Sequence, residues 1–109
     1  MEIINITPHA VNLIAVDGTV SFPSEGVARV ETISEQVGIL AGFPIMATKY
    51  GATHGLPEPS EGKIYIVSMV VAMANPQRFD IVSPNTSPAS TVRDEAGQIV
   101  GVKSFSIYK

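Results

Sequence analysis

Hydrophobic and polar residues alternate over short runs along the chain, and glycine or proline separates these runs at close intervals. This pattern favours many short strands. The first three runs are EIINI at 2–6, AVNLIAV at 10–16 and TVSF at 19–22. Asp17-Gly18, between the second and third runs, is the strongest short-range signal for a hairpin turn. We therefore predict one strand followed by a β-hairpin at the start of the chain.

The middle of the chain fits two interpretations. VARVE at 27–31 and FPIMATKY at 43–50 predict strands. Between them, Ser34 could cap a short helical turn that ends at one of the following glycines, Gly38 or Gly42, although a strand is also compatible. Residues 51–62 contain three glycines and two prolines, which predicts a loop.

The segment from residue 63 to 80 is too long for one strand, since strands usually have about five or six residues. We divide it at Ser68, which would cap a helix over residues 69–75 that Pro76 stops. Residues 64–67, before the cap, predict a buried strand. Because the predicted helix is apolar on every side, we expect it to be buried as well.

The last part of the chain predicts a strand at 78–82, a polar loop at 83–90 and a terminal hairpin over 91–108. The hairpin should turn at DEAG, residues 94–97. In total we predict about eight short strands and one or two short helices, in a single domain over residues 1–109. The predicted fold class is α+β and mostly antiparallel β, arranged as a small barrel or a sandwich-like sheet.

Charged residues make up 16% of the chain and hydrophobic residues 45%. Because so few charges cannot cover the surface of a small domain, we expect apolar surface to contact another copy of the chain. The formal net charge of −3 argues against binding to duplex nucleic acid, which needs a basic face. A small anionic ligand is still compatible, because arginines and backbone N–H groups can hold one in an acidic protein.

The chain has no cysteine, which excludes a disulfide framework, a thiolate metal site and a cysteine nucleophile. The first residues carry an acid where a signal peptide has basic residues. The longest apolar run, residues 64–74, is too short to span a bilayer. We therefore expect a cytoplasmic protein with no membrane partner.

Three polar residues near the predicted helix could contact a nucleotide-type ligand. Ser68 begins the helix, whose N-terminus presents free N–H groups to phosphate or carboxylate, although a routine N-cap is the more common case. Arg78 and Asp80 would share one face of a strand, where arginine could grip phosphate and aspartate could accept from ribose hydroxyls. An ordinary ion pair at a sheet edge is the alternative.

Two further candidates are a histidine and an arginine. His9 follows Pro8 at the head of the second predicted strand, where it or Asn12 could contact the polar edge of a ligand. A structural histidine, hydrogen-bonded to backbone, is the alternative. Arg93 is a phosphate candidate, because its neighbour Asp94 is better suited to start the predicted turn.

The glycine-rich segment after the fifth predicted run brings an aromatic and the second histidine close together in sequence. Tyr50 could stack on a base, and His54 lies in the predicted loop. A loop that moves without binding anything is the alternative. The spacing of the two histidines does not match a metal site, and the chain has no phosphate loop or nucleophile elbow. We therefore expect no catalytic residue, no metal and no cofactor.

Several motifs together resemble a family of short proteins that occur in tailed phages and in bacterial, often prophage-bearing, genomes, and that open with T-P-H-x-V-N. The motifs are NITPHAVNLI at 5–14, VARVE at 27–31, YGATHGLPEP at 50–59, YIVSMVVAMA at 65–74, RFDIVSP at 78–84 and VRDEAGQIVG at 92–101. The resemblance covers nearly the whole chain. Most members have no assigned activity, so it implies a phage setting more than a mechanism. The candidate ligand-binding residues within these motifs are His9, Asn12, Tyr50, His54, Ser68, Arg78, Asp80 and Arg93.

Three functions fit this setting. The first is a homo-oligomeric protein that sequesters a nucleotide-derived immune signal of the cyclic ADP-ribose or cyclic oligonucleotide type. Phage anti-defence "sponge" proteins act in this way, and the likeness to them is one of type, not of motif. The second is a structural or assembly protein of a phage particle. The third is a small nucleotide hydrolase with His9 or His54 as its base.

Overall fold

A computed structural model describes residues 1–108, which are mostly strand. It contains ten strands and one short helix in this range, against about eight strands expected. The elements are β1 Glu2–Asn5, β2 Val11–Ala15, β3 Gly18–Phe22, β4 Arg29–Leu40, β5 Phe43–His54, β6 Lys63–Ile66, α1 Met69–Ala74, β7 Ile81–Pro84, β8 Thr91–Arg93, β9 Ile99–Val102 and β10 Phe105–Ser106.

Two four-stranded sheets form the body of the molecule. The mixed sheet has the order β1-β6-β7-β10, in which β1, β6 and β7 run parallel and β10 runs antiparallel to β7. The hairpin sheet has the order β3-β2-β9-β8, and its two antiparallel hairpins meet where Leu13 pairs with Val102. Within residues 1–108 the sheets are open, and no closed barrel forms.

The core lies on the mixed sheet, where α1 crosses from β6 to β7. Its buried residues are Ile6, Ala28, Tyr65, Val67, Val71, Ala72 and Ile81. Ser68 caps α1 as predicted, since its side chain accepts a hydrogen bond from the Val71 N–H. The helix itself is not fully buried, which corrects the expectation from its apolar sequence. Met69 and Met73 are 52% and 57% exposed.

The third sheet is a two-stranded hairpin, β4–β5, which we call the arm (residues 29–54). Each strand has 12 residues, so the arm is roughly 40 Å long at about 3.3 Å per residue. Ala41 and Gly42 form its turn with φ of 51° and 84°, the positive values that a tight hairpin turn needs. The root of the arm is tied to the body through Val30, which packs against the core, and through a hydrogen bond from Asn75 to Thr53.

The arm corrects two predictions. Ser34 does not cap a helical turn but pairs with Thr48 inside the hairpin, because the chain reverses at Ala41-Gly42 and satisfies its backbone groups across the two strands. The predicted loop at 51–62 begins later than expected, since residues 51–54 still belong to β5. Among residues 1–108, no helix is long and apolar enough to cross a membrane.

Candidate functional site

A buried amide organises the bend that contains the first histidine. Asn5 is fully buried, and its Nδ2 donates to the carbonyl oxygens of His9 and Phe22, both at 2.8 Å. Its Oδ1 accepts from the Thr7 backbone N–H at 2.9 Å and lies 2.7 Å from Thr7 Oγ1. Ser24 Oγ donates to the Thr7 carbonyl oxygen at 2.6 Å. These bonds fix residues 5–9 against the end of β3.

His9 itself is exposed and lies in this bend, two residues before β2 begins at Val11. The prediction that it stands at the head of the strand is therefore wrong. The chain turns here because Asn5 and Thr7 bond to nearby backbone, as Asn, Ser and Thr do in turns. The sequence did not lead us to predict this turn, although Asn, Thr and Pro within four residues (Asn5, Thr7 and Pro8) are typical of turns.

Arg78 and Asp80 are brought together, and they bind each other. Arg78 Nε lies 2.7 Å from Asp80 Oδ1, and Arg78 Nη2 donates to Asp80 Oδ2 and to the Pro57 carbonyl oxygen, both at 2.8 Å. They lie in the loop before β7 rather than on the strand as predicted. Asp80 is 2% exposed. The guanidinium is thus engaged with its own chain.

The pair shifts both pKa values. The hydrogen bond from Arg78 lowers the pKa of Asp80, and the same bond raises the pKa of Arg78. Both shifts favour the charged forms, so the pair is an ion pair at neutral pH. This favours a structural ion pair over the predicted grip on phosphate.

Two more candidates hold the hairpin sheet together. Asn12 Nδ2 donates to the Val100 carbonyl oxygen at 3.1 Å, which joins β2 to β9. Arg93 Nη1 donates to the Gly97 carbonyl oxygen at 2.6 Å, across the turn between β8 and β9. The predicted turn at 94–97 is confirmed, because Asp94 Oδ1 accepts from the backbone N–H groups of Ala96 and Gln98.

The remaining two candidates lie on the arm near its root. His54 Nε2 is 2.9 Å from Glu31 Oε1, and the hydrogen bond from His54 is the main cause of the lowered pKa of Glu31. Both side chains are more than half exposed. Tyr50 borders a cavity of about 180 Å³ together with Val70 and Met73 of α1. The His54–Glu31 bond thus joins the two strands of the arm, and Tyr50 lies on the side of the arm that faces α1.

Taken together, the candidates are dispersed. Five of the candidates line surface cavities, and each lines a different one: Asn12, Tyr50, Ser68, Arg78 and Asp80. Within residues 1–108, no group of three or more His, Asp or Glu side chains could hold a metal ion. The polar candidates therefore do not form one pocket, and the arm is the more prominent surface feature of the described residues.

The distal half of the arm is apolar and exposed. Residues 37–46, which we call the arm tip, contain no charged side chain. Leu40 and Phe43 pair across the turn on one face, next to Ile45, whereas Ile39 and Met46 lie on the other face. Phe43 is 73% exposed. Exposed apolar residues on both faces are typical of a surface that a partner covers.

The shape of the molecule gives the same indication. Its radius of gyration is 16.5 Å, against about 13 Å for a compact domain of this length. The chain exposes 7397 Å², whereas a compact monomer of 11.5 kDa exposes about 5,800 Å². The excess of about 1,600 Å² on one chain is about twice the roughly 800 Å² that each partner buries in a typical specific protein–protein interface.

The chain matches no protein-family model, no curated protein sequence and no solved structure. The resemblance to short phage and prophage proteins therefore stays a prediction.

Proposed function

We propose that this protein is a non-catalytic, self-assembling structural protein, and that its arm joins one copy to the next. The observation that carries the proposal is the arm tip, ten residues without a charge that expose apolar side chains on both faces. An isolated two-stranded hairpin is marginally stable in water. An arm of this length is therefore expected to become rigid when another copy covers it.

The energetics require several arm residues to be buried together. Complete burial of one Leu, Ile or Phe side chain contributes about 1.5–3 kcal/mol. Association costs roughly 4–15 kcal/mol in lost translational and rotational freedom. One residue cannot offset this cost, but a tip that carries Ile39, Leu40, Phe43, Ile45 and Met46 can do so if most of them are covered.

The biological setting of the proposal comes from the resemblance to phage and prophage proteins. A self-assembling protein of that group would be a structural or assembly component of a phage particle. The dispersed positions of the polar candidates support this function over catalysis, because a reaction needs its groups within hydrogen-bond reach of one substrate.

A protein that sequesters a nucleotide signal could also self-associate, but it needs hydrogen-bond donors that are free to bind phosphate. Arg78 is poorly suited to this, since two of its nitrogens already donate to Asp80 and Pro57. Arg93 is exposed and would have to supply the charge from the β8–β9 hairpin. We therefore rank the nucleotide function below structural assembly.

The test compares two variants that each add one acidic residue at an exposed position. Phe43→Asp lies at the arm tip, and Val16→Asp lies in the fully exposed turn between β2 and β3. Electron microscopy and sedimentation should show ordered assemblies for the wild type and for Val16→Asp, and monomers for Phe43→Asp. If the wild type forms no assembly but is stabilised against heat by a cyclic nucleotide, the nucleotide function is favoured instead.

A further inference from the structure

An apolar groove opens at one end of the mixed sheet, with a volume of about 430 Å³. Met1, Pro59, Ile64 and Phe79 form its apolar lining. Phe79 is 83% exposed, which is unusual for an aromatic side chain beside a concave surface. A partner that fills the groove would cover this ring.

The charged side chains that line the groove largely balance each other. Asp80 also lines it, but its carboxylate is neutralised by the bidentate hydrogen bonds from Arg78. Glu61 and Lys63 add one negative and one positive charge to the lining. An apolar lining with a few balancing charges resembles half of a protein–protein interface.

The groove and the root of the arm lie at opposite ends of the mixed sheet. Glu2 pairs with Lys63 at the N-terminal ends of β1 and β6, beside the groove. The arm leaves from the other end, because the Ala28 N–H donates to the carbonyl oxygen of Ile6, just beyond the C-terminal end of β1. The arm of the same chain is therefore badly placed to fill its own groove.

We propose that the groove receives the arm tip of a second copy, with Phe43 and Leu40 packed against Phe79. This inference rests on the proposed function, since it names the surface to which the arm binds. The uncharged tip matches the apolar lining, and aromatic rings in contact add to the burial of apolar area. The excess surface of about 1,600 Å² is sufficient for such an interface.

The proposed contact joins two different surfaces, so it is heterologous. Every copy then has one arm to give and one groove to fill, and the chain of contacts closes into a ring or continues as a filament. A contact between two arm tips would instead be symmetric and would stop at a dimer. A second exposed apolar surface, the side of α1 with Met69 and Met73, could bind the arm tip of another copy in place of the groove.

Two complementary variants test the groove. Phe43→Asp puts a charge on the arm tip and leaves the groove intact. Phe79→Asp puts a charge in the groove and leaves the arm intact. Both side chains are largely exposed, so both variants should fold, which circular dichroism and thermal melting will check. Sedimentation of each variant alone should show self-association weakened about thirtyfold or more.

A mixture of the two variants should form a heterodimer. The intact arm of the Phe79→Asp chain can enter the intact groove of the Phe43→Asp chain, and the reverse contact is blocked on both sides. Met73→Asp, on the exposed side of α1, is the matched control and should assemble like the wild type.

The proposal that the groove binds the arm tip is wrong if Phe79→Asp alone still assembles, if Met73→Asp abolishes assembly instead, or if the mixture stays monomeric. In each of these cases the proposed function survives as long as Phe43→Asp is monomeric. If Phe43→Asp assembles normally, the arm is not the joining element and the proposed function fails as well.

Discussion

At the scale of single residues, several polar side chains chosen as ligand contacts hydrogen-bond to their own chain. Asn12, Arg78 and Arg93 each donate to a backbone carbonyl oxygen, and Ser68 accepts from one N–H. The sequence could predict the Ser68 cap and the Asp94 turn because both depend on neighbouring residues. It could not predict that Arg78 reaches Pro57, since that contact depends on how the loop after the arm folds back.

The pair of Arg78 and Asp80 leads to a prediction about stability. Arg78→Ala leaves the buried Asp80 carboxylate without its partner, so we expect a loss of about 3–5 kcal/mol in the free energy of unfolding. Arg93→Ala, at an exposed arginine with one hydrogen bond, should cost about 0.5 kcal/mol or less. Urea denaturation measures both. Equal stability of the two variants would show that the ion pair is not structural.

The same pair predicts how stability depends on pH. The pKa of Asp80 is lower in the folded chain than in the unfolded chain, where it is about 3.9. The contribution of Asp80 to the free energy of unfolding is therefore fully present above about pH 4, and it is lost as the pH falls through the lower, folded-state pKa. Asp80→Asn should remove this acid dependence, and a wild type whose stability is unchanged at low pH would contradict it.

At the scale of elements, short local signals predicted the two hairpins of the body, but neither the arm nor the parallel pairing of β1, β6 and β7, which the mostly antiparallel prediction did not include. The hairpin predicted at Asp17-Gly18 is confirmed, although its turn lies one residue earlier at Val16-Asp17, and the predicted turn at 94–97 is confirmed as well. Ser34, Gly38 and Gly42 were interpreted as possible helix ends, but pairing with residues 43–54 places Ser34 and Gly38 in a strand and Gly42 in the hairpin turn. Ala41 adds to the difficulty, because residues other than glycine rarely adopt a positive φ.

The exposure of the arm predicts its hydrogen exchange. In the wild-type assembly, backbone amides of the arm tip should exchange slowly, because a second copy covers them. In the monomeric Phe43→Asp variant they should exchange much faster, since a lone two-stranded hairpin opens easily. Amides of Tyr65 and Ile66, in the buried strand β6, are the internal control and should stay protected in both. Slow exchange of the arm tip in the monomer would mean that the arm is rigid without a partner.

At the scale of the whole molecule, composition leads to the prediction of self-association. A chain with 16% charged residues predicts apolar surface buried against a second copy, and the exposed apolar arm tip is the surface that we propose for this contact. The location could not be predicted from composition, because the same residues could have entered a core. The helix α1 is a second case in which apolar sequence did not predict burial, since we expected it to be buried and part of it is exposed.

The central claim is that the arm joins copies of the chain, and shortening the arm tests it most directly. Glu35 and Ala47 pair across the hairpin, so residues 36–46 can be replaced by an Asn-Gly turn without breaking the register below. Sedimentation at equal micromolar concentration should show an oligomer for the full chain and a folded monomer for the shortened one. An oligomer that persists after the arm is shortened, or a full-length chain that is already a monomer, would contradict the claim.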